Sequence, residues 1–210
     1  MIKIDVSTWK RKQTYLFYKD MDIPTYSMTF NLDVTSFYQH IKKIKTSFYF
    51  SFMHLVMKEM NQIENFKYRF IKDEPYLCES IHPSFTDLIK DTDQFKIVTI
   101  DLVDDLNMFI QLAKEKSFLQ GDQFIDYHEE ARQDLVYITT FPWAYYQSVT
   151  QATNLDSKDA IPRVTWGKYE EQMGRIIMPF SVSVHHAFVD GLHVGMLIQN
   201  IQKSLNAYLD

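Results

Sequence analysis

Two stretches of the chain carry apolar residues at every second position. Tyr26, Met28, Phe30, Leu32 and Val34 are separated by Ser27, Thr29, Asn31 and Asp33, the period of two expected of a half-buried strand. Ile176, Met178, Phe180, Val182 and Val184 repeat the pattern and predict a second strand over residues 175–186. By parity His186 continues its apolar face, so the imidazole is expected to point into the protein, while His185 joins Ser181 and Ser183 on the other side. Asp190-Gly191 is a turn signal. After it Val194, Leu197, Ile198, Ile201 and Leu205 recur at helical spacing, predicting a closing helix from Gly191.

The remaining pattern is less regular. Thr35 reads as the N-cap of a helix running through Ile44, with Phe37, Ile41 and Ile44 as its apolar stripe and Lys42, Lys43 and Lys45 on its solvated side. Residues 52–63 read as a buried helix, and residues 68–71, 76–78, 97–103, 135–141 and 163–168 as strands. Asp104 and Asp105 open an amphipathic helix carrying Leu106, Phe109, Ile110 and Ala113. Residues 120–133 show no period and read as a long acidic loop. Helices and strands mix without a strict βαβ repeat, which predicts an α+β layered fold. The 5 glycines and 6 prolines are scattered over the 210 residues, so a single domain spanning residues 1–210 is expected.

Composition narrows the classes. With 46% hydrophobic and 15% aromatic residues a packed core is expected. A net charge of −5 and a pI near 5.8 argue against a nucleic-acid partner. Cys78 is the sole cysteine, so no internal disulfide forms and a reducing compartment fits. It reads as a packed side chain, since nothing nearby suggests an activating base. The amino terminus lacks the apolar core of a signal peptide, and residues 48–57, interrupted by Ser51 and His54, are too short to cross a bilayer. A cytoplasmic protein with no membrane partner is expected. No P-loop, GxSxG or HExxH pattern is present.

The candidate chemistry lies where the second strand ends. An imidazole at a strand end with a carboxylate four residues on suits a general base held in one orientation. A single histidine on an apolar face is more often a core residue bonded to backbone. A metal site from His185, His186, Asp190 and His193 is not expected, because adjacent strand residues point to opposite faces. The run His185-His186-Ala187-Phe188-Val189-Asp190-Gly191 resembles the HHxxxDG motif of the coenzyme A-dependent acyltransferases, and within them the type A chloramphenicol acetyltransferases. Further segments carry the likeness along the whole chain: Trp9-Lys10-Arg11-Lys12 with Phe17-Tyr18, residues 24–29 with 32–35, His82-Pro83-Ser84-Phe85-Thr86, and Thr139-Thr140-Phe141-Pro142-Trp143.

The resemblance implies a two-layer sandwich of one mixed sheet covered by helices, and direct acetyl transfer from acetyl-CoA, the cosubstrate, to a small-molecule hydroxyl acceptor. It implies a homotrimer with sites at the subunit interfaces, and a role in antibiotic resistance. It implies His186 as base, Asp190 tied to Arg11 instead of touching the imidazole, and Thr139 as oxyanion donor where the family usually has serine. It further implies that Thr165 holds a water beside that oxyanion and that Trp143, Lys168 and Tyr169 line the coenzyme A channel. Phe17, Tyr18, Asp22, Thr86, Phe95, Val149, Gln151 and Arg163 fall around the acceptor pocket. Asp22, Gln151 and Arg163 stand where the family is usually more apolar, so Arg163 is expected either to be paired, with Asp22 or an acidic loop residue, or to be aimed at a polar acceptor. The alternatives are an O-acetyltransferase of a more polar hydroxyl compound and a weakly catalytic relative that sequesters ligand.

Overall fold

The computed structural model describes residues 1–153 and 158–208. Its main sheet has seven strands, built from β2 (Thr25–Asp33), β5 (His82–Leu88), β6 (Phe95–Thr99), β7 (Leu135–Phe141), β8 (Arg163–Gly167), β9 (Glu170–Gln172) and β10 (Arg175–His185). The order is β2-β10-β8-β7-β5-β6, with β9 pairing β10. The pairs β5–β7 and β7–β8 are parallel and the others antiparallel. A small sheet of β1 (Ile2–Lys3), β4 (Glu74–Leu77) and β3 (Tyr68–Ile71) stands apart. The fold is the expected α+β arrangement of a mixed sheet and helices.

The two alternating segments pair with each other, Phe180 opposite Phe30 and Met178 opposite Leu32. Their apolar side meets the helices α2 (Thr35–Lys43), α3 (Phe48–Asn61) and α6 (Gly191–Asn206), while α4 (Leu106–Gln120) packs on α3 and on β6. Phe52, Met53, Val56, Met57 and Met60 of α3 and Leu197, Ile201 and Leu205 of α6 are fully buried there with Phe180, Val182 and Val184. Each such side chain contributes roughly 1.5–3 kcal/mol on burial, so this layer fixes which face of the sheet is left for chemistry.

That other face carries hydroxyls in register. Ser181 stands opposite both Thr29 and Thr165, and Thr165 opposite Thr139. A second row runs through Ser27, Ser183, Arg163, Tyr137, Ser84 and Thr99.

Several local expectations need correction. Thr35 is the first helical residue of α2 and not its cap; the Asp33 carboxylate accepts from the Thr35 N–H at 3.0 Å and its hydroxyl at 2.6 Å. A short acidic side chain two residues earlier does the capping that Thr35 was given. Ile44 lies past the helix end and is 48% exposed, so it leaves the stripe. The helix α3 starts at Phe48, four residues before the predicted start, because Ser47 caps the N–H of Phe50. Strand β6 ends at Thr99. Residues 120–133 are not wholly loop: α5 (Tyr127–Glu130) is capped by Asp126, and Ile125 bridges Ile97. The strand at residues 82–88 and the helix α1 (Lys12–Tyr18) carry too little periodicity to have been predicted. Asp105 does cap α4, accepting from the Met108 N–H at 2.8 Å.

Candidate active site

The strand β10 pairs with β2 up to His185 opposite Thr25, and the chain then turns, with the N–H groups of Phe188 and Val189 bonded to the His185 carbonyl. Alternation therefore stops one residue before His186, and the parity reading fails there. His185 is the buried histidine, 2% exposed and packed by Phe70 and Phe188, with its Nδ1 accepting the Ala187 N–H at 3.1 Å. The imidazole of His186 is half-buried instead, its side chain 32% exposed. It is nevertheless firmly oriented. Its ring stacks on Tyr18 with centroids 3.9 Å apart and planes at 3°, and packs at 4.7 Å against Tyr26. The His186 N–H donates to the Pro24 carbonyl at 2.9 Å. Its Nδ1 is buried, makes no hydrogen bond and lies 3.5 Å from Asp190 Oδ1.

Arg11 and Asp190 form the expected tie. The guanidinium donates to both carboxylate oxygens, Nη1 to Oδ2 at 2.7 Å and Nη2 to Oδ1 at 2.6 Å. It also donates to the carbonyls of Ala187 at 2.7 Å and His186 at 3.0 Å. One planar side chain thus clamps the turn that follows β10 to the N-terminal segment. The Arg11 hydrogen bond, more than its charge, holds the Asp190 carboxyl below the usual carboxylate range. The resemblance kept Asp190 clear of the imidazole; here the 3.5 Å separation from Nδ1 brings it close. His193 completes the junction by accepting the Asp190 N–H on Nδ1 at 2.9 Å. Burial pushes its pKa down, so it stays a neutral acceptor.

A cavity of about 810 Å³ lies on the hydroxyl-bearing face of β5, β7 and β8. It gathers Thr86, Phe95, Thr139, Trp143, Val149, Gln151, Arg163 and Thr165 of the predicted site. Thr139 is exposed on β7. Thr165 is 2% exposed, and its Oγ1 accepts from the Gln151 amide. Tyr146 donates to the Thr165 carbonyl at 2.8 Å, and burial pushes its phenol up to about 12. Gly167 lets that ring approach: an added Cβ would come within 2.8 Å of Tyr146 Cδ1 and of Pro179 Cγ.

The remaining predicted residues are elsewhere. His186, Asp190, Arg11, Phe17, Tyr18, Asp22, Lys168 and Tyr169 do not line this cavity. Phe17 is 66% exposed and meets only the edge of Tyr18 among the rings described. Tyr169 packs against Tyr38 and Phe48. Trp143 is 63% exposed at the cavity rim. Arg163 is paired, but with Asp159 at 2.5 Å and not with Asp22. Its guanidinium also donates to the Ile161 carbonyl at 3.2 Å and lies 5.4 Å from the Tyr137 ring centre. The polar-acceptor reading of Arg163 is therefore unnecessary, because a carboxylate four residues upstream in its own loop takes the charge. Among the described residues no group of three or more His, Cys, Asp or Glu side chains is arranged to hold a metal ion, and no helix is long and apolar enough to cross a membrane.

Tyr26, Tyr146 and Glu130 were not singled out from sequence. Tyr26 has one legible signal, its place on the alternating strand that pairs with the histidine strand. Its hydroxyl bonds the Val189 carbonyl at 3.3 Å, and burial, then Asp190, push its phenol up to about 12. Tyr146 and Glu130 lie in aperiodic segments that give no such signal.

Known proteins resemble this chain over nearly its whole length. Residues 1–202 match the family model described as chloramphenicol acetyltransferase. A chloramphenicol acetyltransferase of Escherichia coli is 28% identical over 201 residues, covering 95% of this chain and 91% of that one. One of Clostridium perfringens is 26% identical, covering 98% and 94%. A solved chloramphenicol acetyltransferase superposes with a TM-score of 0.87 at 25% identity, over 96% of this chain and 98% of the other. The cubic core of a pyruvate dehydrogenase multienzyme complex shares the fold alone, with a TM-score of 0.69 at 14% identity. Together these place the chain in the chloramphenicol acetyltransferase family, as an acyltransferase that uses acetyl-CoA to acetylate a hydroxyl group.

Proposed function

We propose that the enzyme acetylates chloramphenicol or a close hydroxyl analogue, with His186 as general base in a site completed by a neighbouring copy of the chain. The observation that carries the reading is the His186 imidazole, held between Tyr18 and Tyr26 with its Nδ1 buried 3.5 Å from Asp190. A proton on Nδ1 faces the carboxylate, which leaves Nε2 as the acceptor nitrogen. The acceptor hydroxyl gives its proton to Nε2 while its oxygen attacks the thioester carbonyl. The tetrahedral oxyanion then expels coenzyme A thiolate, which takes the proton back from the imidazolium. General-base help of this kind is worth about 10² to 10⁴-fold.

Thr139 supplies the oxyanion donor, and Thr165 orders a water beside it. Thr139→Val should lower turnover by about 10² to 10³-fold, as for other oxyanion donors, while Thr139→Ser stays near wild type. Steady-state kinetics on both variants checks this; equal behaviour would assign the oxyanion to another group. Trp143, Lys168 and Tyr169 are assigned to coenzyme A, with Lys168 facing phosphate or the adenosine part.

His186 does not line the cavity holding Thr139 and Thr165, which supports a site shared between copies; the family resemblance makes that assembly a homotrimer in which His186 of one copy faces the cavity of the next. The pairing of Arg163 with Asp159 favours chloramphenicol over a markedly more polar acceptor, since no free guanidinium then awaits a ligand. Arg163→Ile would strand Asp159, so the KM for chloramphenicol should not fall; a fall of tenfold or more, about 1.4 kcal/mol, would return the polar-acceptor reading. The experiment that tests the activity is release of free thiol from acetyl-CoA by purified protein, with chloramphenicol and with a panel of other alcohols. Ligand binding with no thiol release for any acceptor would leave only the sequestering alternative.

A further inference from the structure

A tight basic run, Lys42, Lys43 and Lys45, stands where α2 ends, in a protein whose net charge is −5. The negative end of the helix dipole accounts for cations in this turn, but not for the surroundings of Lys42. Its Nζ lies 4.7 Å from the centre of the Tyr38 ring. Hydrogen bonding from Lys42, and then from Tyr169, holds the Tyr38 phenol below its ordinary pKa. The Tyr38 and Tyr169 rings meet at 4.9 Å with planes at 60°, and both pack against Phe48 at the start of α3. Among the described residues Lys42 pairs with no carboxylate, unlike Lys3, Lys19, Lys116 and Lys158.

The cluster continues the surface assigned to coenzyme A. Tyr169 follows Lys168, and the Lys168 N–H donates to the Ala144 carbonyl at 3.2 Å, next to Trp143 at the cavity rim. A strip thus runs from Trp143 through Lys168 and Tyr169 to Tyr38 and Lys42. Thr139 lies at the cavity end, where the thioester must be for transfer, so the other end of the strip meets the adenosine end of the cosubstrate. That end bears a phosphate monoester on its ribose, which carries about two negative charges at neutral pH. Lys42 and Lys168 are both exposed there.

We infer that Lys42 binds the ribose phosphate of coenzyme A, and so makes the enzyme select coenzyme A over its dephosphorylated form. The inference rests on the assignment of Lys168 and Tyr169 to coenzyme A. Tyr38 holds the ammonium in place: the phenol oxygen takes one of its three donors and leaves two for phosphate oxygens.

Titration calorimetry with coenzyme A and with dephospho-coenzyme A reads binding whether or not acetyl transfer occurs. Wild type should bind coenzyme A more tightly. Lys42→Gln should weaken coenzyme A binding by about three- to tenfold, as for an exposed charge-assisted contact, and dephospho-coenzyme A by less than about 1.5-fold. The loss should shrink at high ionic strength, and Lys42→Arg should keep most of the preference. Thermal melting confirms that each variant is folded. Equal changes for both ligands, no change for either, or a wild type that does not distinguish them overturns the inference. Lys168→Gln separates it from the assignment beneath it. If Lys168→Gln weakens coenzyme A binding and Lys42→Gln does not, the inference alone falls. If Lys42→Gln loses the preference and Lys168→Gln binds as wild type does, the assignment of Lys168 falls and the role of Lys42 stands.

Discussion

Replacing His186 with alanine should lower kcat by at least about 10³-fold, within the range for a lost acid–base group, while coenzyme A still binds. The expectation follows from what surrounds the ring. Tyr18 and Tyr26 fix its plane, and the buried Nδ1 faces Asp190 at 3.5 Å, so a single nitrogen is left to take a proton. Alanine removes that nitrogen without touching the Arg11 clamp, which holds the backbone carbonyl of residue 186. His185→Ala should act differently. That ring accepts the Ala187 N–H and packs on Phe70 and Phe188, so its loss should lower the melting temperature far more than the proton-transfer rate. Steady-state kinetics with a parallel calorimetric titration of coenzyme A checks both variants. A folded His186→Ala enzyme as active as wild type would remove His186 from the mechanism.

The second large effect concerns the Arg11–Asp190 tie. Breaking a buried pair by removing one partner costs about 3–5 kcal/mol, and an exposed one at most about 1. The Arg11 side chain is 11% exposed and that of Asp190 35%, so Asp190→Asn should cost about 2 kcal/mol after allowance for solvent screening. For a chain of this size that is a fall of about 4–8 °C in melting temperature, measured at equal protein concentration. The pH dependence has a definite sign. Arg11 depresses the Asp190 pKa in the folded protein, so the tie is at full strength above the unfolded carboxylate value of about 3.9 and is lost as pH falls through the lower folded value. The difference between wild type and Asp190→Asn should therefore be present at neutral pH and vanish in strong acid. Turnover should fall as well, because the same guanidinium positions the turn that carries His186. An unchanged melting temperature would show that the tie stabilises nothing.

Much of the fold was legible because strong patterns coincide with partners. The alternating segments at residues 26–34 and 176–184 pair with one another, and the helical spacing after Gly191 packs on them. Elements without amphipathic contrast, such as β5 and α5, were not legible. In the site, the Arg11–Asp190 tie was foreseen from the motif, whereas the inward parity of His186 was wrong. Periodicity describes residues inside a ladder, and the ladder ends at His185. The partner of Arg163 was open to an acidic loop residue, yet choosing Asp159 over Asp22 required the loop path.

The central claim is that His186 and the cavity with Thr139 act together across two copies of the chain. Co-expression of His186→Ala with Thr139→Trp, a variant whose cavity is filled, tests it most directly. Each variant alone should be nearly inactive. If His186 of one copy serves the cavity of the next, random assortment into trimers restores roughly a quarter of the wild-type rate, because a quarter of the interfaces join two intact halves. Mixed oligomers that regain no activity, or a protein that sediments as a monomer at micromolar concentration, would contradict the account.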